Sequence, residues 1–177
     1  RFHDGEEKND PAFCKALEER SGGFYNAGPF TPYLHRAPGA APRSTILFPG
    51  SVGGADWQGG AFDKETGILY VESITAPFVA DLLKGDPGKT NLDYVPGVRA
   101  YPAGPQGLPL LKPPYGRITA IDLNTGNTKF QVPHGDTPDT VRATLTRLGV
   151  NYPAKTGQPG SVGLMVTKTI VVVGDPQ

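Results

Sequence analysis

The sequence predicts a mainly β fold of repeated sheets, with long Pro/Gly-rich loops and a short N-terminal helix. Three observations predict it. Short apolar runs bounded by Gly, Pro, Asn or Asp recur along most of the chain, one turn pattern occurs twice, and only two stretches carry a helical pattern.

A chain of 177 residues is long enough for one domain burying about two-thirds of the surface its unfolded form exposes. Its 17 Lys and Arg balance 17 Asp and Glu, so the basic stripe of a nucleic-acid-binding module is not expected. No apolar run is long enough to span a bilayer as a helix. The opening RFHDGEEKND is charged and lacks an apolar stretch, so it is not a signal peptide, and any leader would lie upstream. With 24 Gly and 19 Pro the composition approaches that of low-complexity chains, but the prolines cluster between well-patterned apolar runs. Cys14 is the sole cysteine and has no histidine near it in sequence, so it reads as a packing residue.

The elements follow in order. Asp10 and Pro11 suit the cap and first position of a helix over AFCKALEER, which Ser21-Gly22-Gly23 stops. STILFP (44–49) is a short apolar strand ending in Pro and Gly. GAFD (60–63) and GILYVES (67–73) flank one turn, and RITAID (117–122) and NTKFQVP (127–133) flank another. VGLMVTK (162–168) and TIVVVGD (169–175) form a final tight hairpin. Residues 75–116 hold eight prolines and read as a long surface excursion or functional loop. Within 136–150 a short helix is expected, capped by Thr137 or Asp139, with Val141, Leu145 and Leu148 on one face.

The two turns match residue for residue. Ala61, Asp63, Thr66 and Gly67 recur as Ala120, Asp122, Thr125 and Gly126, an A-x-D-x-x-T-G pattern. The Asp carboxylate can accept backbone N–H groups across the turn, the Thr hydroxyl can help close it, and the Gly supplies positive φ. A hairpin needs only the last of these. Recurrence of all three points to repeated blade-like sheets and hence to a propeller, with a plain pair of hairpins as the alternative.

GGADWQGGAFDKETGILYV, PPYGRITAIDLNTGNTKFQVPHGDTP and SVGLMVTKTIVVVGD resemble consecutive segments of the pyrroloquinoline quinone (PQQ)-dependent dehydrogenases. Within that group they are most similar to quinoprotein glucose dehydrogenases of the eight-bladed propeller type. The resemblance runs over roughly residues 44–175. It implies a partial β-propeller of about two to three blades over 44–177, preceded by a helix and loop or insertion over 1–43. The family's docking motif ends in a tryptophan four residues after the glycine. Val71 and Phe130 stand there in this chain, so other apolar contacts are expected to replace that stack.

The resemblance also implies a site. A flat, tricarboxylated quinone needs aromatic surfaces on its faces and polar donors at its edge. Asp56 and Trp57 fall where the family places the cofactor side, Asp56 at the quinone edge and Trp57 in the pocket wall. Gly53, Gly54, Gly59 and Gly60 would let the backbone approach. Asp stands where an amide is usual, and a carboxylate beside an anionic cofactor is repelled unless protonated or paired. The alternative is that Trp57 packs between blades and Asp56 caps a turn. Gly163 and Leu164 are further candidates for backbone contact with the cofactor. The calcium ligands and the catalytic carboxylate lie in family segments that precede this part, so no catalytic residue and no protein metal site is assigned here. His134 reads as a turn residue, and His3 and His35 have no metal-ligand spacing with it. Asp63 and Asp122 read as structural.

The function implied is oxidation of a sugar or alcohol hydroxyl by a periplasmic enzyme, or one membrane-associated on the periplasmic side, that passes electrons to a quinone or cytochrome. This segment alone is expected to be inactive. A different class stays open: a non-enzymatic propeller fragment acting as a scaffold or self-associating through open sheet edges. A third is a carbohydrate-binding β domain using Trp57 and Tyr115 as stacking surfaces.

Overall fold

The computed structural model describes residues 12, 15, 16, 19, 23–40, 43–152 and 155–176. Ala12, Lys15, Ala16 and Glu19 are helical, with Lys15 and Glu19 paired at 3.8 Å one turn apart. The expected cap at Asp10 and Pro11, the stop at 21–22, Cys14 and His3 lie outside the described residues.

Eleven strands follow among the described residues. They are β1 (Phe24–Tyr25), β2 (Leu34–Arg36), β3 (Ser44–Leu47), β4 (Gly60–Asp63), β5 (Ile68–Ile74), β6 (Phe78–Lys84), β7 (Tyr94–Ala100), β8 (Gly116–Asp122), β9 (Asn127–Pro133), β10 (Leu164–Val166) and β11 (Val171–Val173). One helix, α1 (Asp139–Arg147), sits between β9 and β10. The strands make three sheets, and the chain is a mainly β, partial propeller.

The sheet β4-β5-β8-β9 is antiparallel throughout, two hairpins set side by side with β6 and β7 inserted between them in sequence, and both copies of the repeated turn belong to it. The repeat is therefore a hairpin repeat within one sheet, joined by the seven-residue β5–β8 seam. Each turn works as its residues dictate. Asp63 Oδ1 accepts from Glu65 N–H at 3.0 Å, Thr66 Oγ1 donates to Asp63 Oδ2 at 2.5 Å, and Gly67 takes φ 73°. Asp122 Oδ1 accepts from Asn124 N–H at 2.9 Å and Gly126 takes φ 75°, while Thr125 Oγ1 accepts from Asn127 N–H instead. The second turn docks on the first, since Leu123 N–H donates to Gly67 O at 2.9 Å. At the second docking-motif position, Phe130 tilts toward Tyr70, the residue before Val71, with ring centroids 6.3 Å apart. Ala120, fully buried between their strands, is small enough to let the rings reach over it.

The second sheet gathers β1, β3, β6, β2 and β7. Here the structure corrects the reading of 75–116 as a loop excursion, because β6 and β7 lie within it. One side of β6 is shared by β3 over its first half and by β2, in parallel, over its second. Its other side carries β7. Asp81 at the centre is buried, accepting from Arg36 Nε at 2.8 Å and from Val98 N–H at 2.5 Å. Pro96, which has no N–H to give, is tolerated because β7 is an edge strand with a register shift opposite Ala80–Leu82. β10 and β11 pair as the final hairpin, with β10 lying against β4 and β5.

Helix α1 forms where expected, but neither Thr137 nor Asp139 is its N-cap. Pro138 is, with φ −52° and ψ 139°, and no side chain caps the helix. Thr137 is buried instead, and Asp139 already lies in the first turn. Val141 and Leu145 are buried with Leu108 and Tyr115 and pack on Tyr152, whereas Leu148, at the C-cap, is exposed.

Candidate cofactor-facing site

The loop 50–59 carries Asp56 and Trp57, and its geometry is set by glycine. Gly53 N–H donates to Gly50 O at 2.9 Å and Gly59 N–H to Asp56 O at 2.9 Å, closing two tight turns in which Gly53 and Gly59 hold φ 78° and 75°. Gly60 has a different reason. A Cβ there would lie 2.6 Å from Tyr70 O, inside the β4–β5 pairing. Gly54 O accepts from Ile74 N–H at 2.8 Å and fastens the loop to the end of β5.

Asp56 is exposed, and its Oδ1 accepts from Trp57 N–H at 2.7 Å, so its carboxylate is engaged in the turn. Trp57 does not pack between sheets of this chain, for its indole is 86% exposed. Gly163 is exposed, and a Cβ on it would meet nothing within 4 Å. Leu164 is half-buried and pairs with Val173. The fold brings the two stretches together through β10, which begins at Leu164 and lies against β4, the strand that follows the Trp57 turn. Tyr115 lies elsewhere: at 3% exposure it is no open stacking platform beside Trp57.

These residues meet some demands of a flat anionic quinone. An uncovered indole offers an aromatic face, and the space over Gly163 admits close backbone approach. Asp56 contributes an acceptor and not a donor, so it answers none of the cofactor's carboxylates. Among the described residues, no group of three or more His, Cys, Asp or Glu could hold a metal ion.

Three features were not foreseen. The first is a cavity of about 580 Å³ beside the loop, walled by the end of β5, the 101–115 segment, the start of α1 and residues 159–161. The second is Glu72, 6% exposed on β5, with no hydrogen-bond partner for Oε1. Burial pushes its carboxyl up from 4.5 to about 7, and the Arg117 charge pulls back only part of that rise. Strict alternation could have found it, since Glu72 shares parity with Ile68, Tyr70 and Ile74. The third is His134, on a loop as expected. Its Nδ1 is buried without a partner, and it borders a small cavity with Asp136, Gln158 and Asp175.

Comparison with known proteins decides the family. The model of the PQQ glucose/ethanol/alcohol dehydrogenase β-propeller domain matches residues 7–176. The chain belongs to the PQQ-dependent dehydrogenase family. It is 30% identical over 155 residues to the quinate/shikimate dehydrogenase (quinone) of Acinetobacter baylyi, covering 76% of this chain and 18% of that protein. It is 27% identical over 165 residues to a quinoprotein glucose dehydrogenase of Gluconobacter oxydans, covering 79% and 19%. It is 28% identical over 190 residues to the glycerol dehydrogenase large subunit of the same species, covering 92% and 24%. This PQQ dehydrogenase segment thus spans less than a quarter of the length of those relatives. No helix among the described residues is long and apolar enough to cross a membrane.

Proposed function

We propose that the chain is the part of a PQQ-dependent sugar or alcohol dehydrogenase that carries one wall of the cofactor pocket. The observation that carries this reading is the exposed indole of Trp57, held on a glycine turn within a chain matched by the family's propeller model. Bound PQQ would supply the acceptor for the hydride equivalent, two electrons and one proton, leaving the substrate carbinol, while the hydroxyl proton would go to the catalytic carboxylate. Trp57 would cover one face of the ring system, and the backbone at Gly163 and Leu164 would approach its rim. Asp56 would hold the turn that aims Trp57, its carboxylate occupied by the Trp57 N–H. The calcium ion and the catalytic carboxylate would come from family segments other than these, so the chain alone is expected to be inactive. Its electrons would pass to a quinone or cytochrome on the periplasmic side. We place the boundary of the propeller segment at residue 44.

Trp57 is the sole tryptophan, which makes the test direct. Titration with PQQ, with and without calcium, should quench its fluorescence saturably. An unchanged emission up to millimolar PQQ would remove Trp57 from the cofactor face.

One observation favours a second reading, self-association. All seven residues of the edge strand β9 are exposed, Phe130 and Val132 among them, and an open edge can pair with another copy. Sedimentation equilibrium decides it: a monomer at 100 micromolar, roughly the range where weak edge pairing shows, rules it out.

A further inference from the structure

The Trp57 loop is tied to β5 at two places, and a buried acid lies between them. Gly60, at the start of β4, pairs with Val71, and Gly54 O accepts from Ile74 N–H at 2.8 Å. Glu72 falls between those two anchors. Carrying the antiparallel β4–β5 pairing past Gly60 sets Gly59 and Gln58 beside Glu72 and Ser73. Gln58 is the residue next to Trp57.

Two side chains of this stretch hold a buried oxygen that nothing satisfies. Glu72 is 6% exposed and its Oε1 has no hydrogen-bond partner, and Oε1 of the half-buried Gln58 has none either. Two bare acceptors are costly and cannot serve each other. A carboxyl proton on Glu72 is a donor, and that one proton would satisfy both groups.

The titratable and charged groups on the elements around β5 offer Glu72 nothing else. Arg117 of β8 spends its guanidinium on Ser73 Oγ at 3.1 Å and Thr75 Oγ1 at 2.6 Å, and Ser73 alternates with Glu72 onto the other face of the strand. Asp63 of β4 and Asp122 of β8 stand opposite Ile68, at the far end of β5. Asp56 is engaged by the Trp57 N–H, and β10 brings only Leu164, Met165 and Val166. Tyr115, whose carbonyl accepts from Thr75 N–H, has its phenol kept protonated by burial. Burial also raises the Glu72 carboxyl to about 7, so the neutral acid is populated in the folded chain.

We infer that Glu72 is a positioning residue for the Trp57 turn: as the neutral acid it donates its carboxyl proton to Gln58 Oε1, and ionisation releases the turn. For its bearing on PQQ the inference rests on the cofactor-facing reading, but the pairing itself can be tested apart from it.

The test follows Glu72, Gln58 and Trp57 by NMR in the 177-residue chain. The Gln58 side-chain amide and the single indole N–H should move together with the Glu72 carboxyl, at a midpoint of about 7. In Glu72→Gln, whose amide can donate at every pH, both signals should stay at their acid positions. In Glu72→Met, which cannot donate, both should stay at their alkaline positions. Gln58→Leu should lower the Glu72 midpoint by about half to one pH unit, because a hydrogen bond favouring the neutral acid is lost. Circular dichroism checks that each variant is folded. Gln58 signals that ignore the Glu72 titration, or Gln and Met variants that behave alike, overturn the proposal.

PQQ affinity separates positioning from charge. Between about pH 6 and pH 8 the Kd of the wild type should rise at least about threefold more than that of Glu72→Gln, and Glu72→Met should bind at the weak level at both. Tight binding by Glu72→Met would mean that charge alone acts, and it overturns the positioning role. Coupled NMR signals with no PQQ binding at any pH support the pairing and sink the cofactor-facing reading. PQQ binding with unmoved Gln58 signals overturns the pairing alone.

Discussion

Replacing Glu72 by Gln should stabilise the protein increasingly as the pH rises from 4.5 to about 7, and by a constant amount above that. Glu72 lies at the centre of β5 at 6% exposure, opposite Ile118 of β8 and on the face shared with Ile68 and Ile74. Its Oε1 has no hydrogen-bond partner. The nearby Arg117 guanidinium is committed to Ser73 Oγ at 3.1 Å and Thr75 Oγ1 at 2.6 Å. Burial raises the carboxyl from 4.5 to about 7, so between those values the folded protein holds a proton that the unfolded chain has released. Stability from this group is complete below the unfolded value, falls by about 1.4 kcal/mol per pH unit through the interval, and is lost above the folded value. The total comes to about 3 kcal/mol. Glutamine keeps the shape and cannot ionise. Glu72→Gln should therefore match the wild type at pH 4.5 within about 1 kcal/mol and exceed it at pH 8 by about 3 kcal/mol. Urea unfolding of both proteins at the two pH values measures this, and the difference between them cancels every other titrating group. If that difference does not change with pH, the account of Glu72 as a buried acid is wrong.

Asp81→Ala should cost about 3–5 kcal/mol in urea unfolding, because it strands Arg36 and the Val98 N–H inside the β2-β6-β7 junction. A loss under about 1 kcal/mol would mean that the pair is solvated. Gly67→Ala and Gly126→Ala both force a Cβ to positive φ, at about 1 kcal/mol each. Only at Gly67 would the new atom strike a neighbour, the Asn124 side chain, so its loss should be the larger. Equal losses would argue against docking of the two turns. Thr66→Val should raise the Asp63 carboxyl, now held below the usual range chiefly by the Thr66 hydroxyl, in an NMR titration. An unmoved Asp63 would show that the turn closes without that hydroxyl.

What could be read in advance was local. The turns at Asp63–Gly67 and Asp122–Gly126, the strands they join, the last hairpin and helix α1 each depend on residues within a few positions of one another. β6 and β7 escaped because their signals are not local. FVADLLK carries an aspartate in its apolar run, and the partner that makes it buriable, Arg36, lies 45 residues earlier. Pro96 argues against a strand unless β7 is known to be an edge. The exposure of Trp57 was equally hidden, since the sequence allowed either a packed or an uncovered indole. The cavity comes from five separate segments that no single motif spans.

The β5–β8 seam has a kinetic consequence. Its strands are parted by the whole β6–β7 excursion, whereas each turn pattern closes its own hairpin within a few residues. The connection from Ile74 to Gly116 is about tenfold longer than the Asp63–Ile68 turn and costs about 2 kcal/mol more to close. The twin hairpins should then be assembled early, and the seam should zip only after the intervening chain has found its own sheet. Mutations at the two turns would slow refolding, while those along the seam, such as Ile118→Val, would chiefly speed unfolding. The opposite pattern in stopped-flow kinetics would place the seam in the nucleus. A PQQ dehydrogenase propeller of this design would carry, in the middle of one blade, the contact that forms last and governs how slowly the blade comes apart.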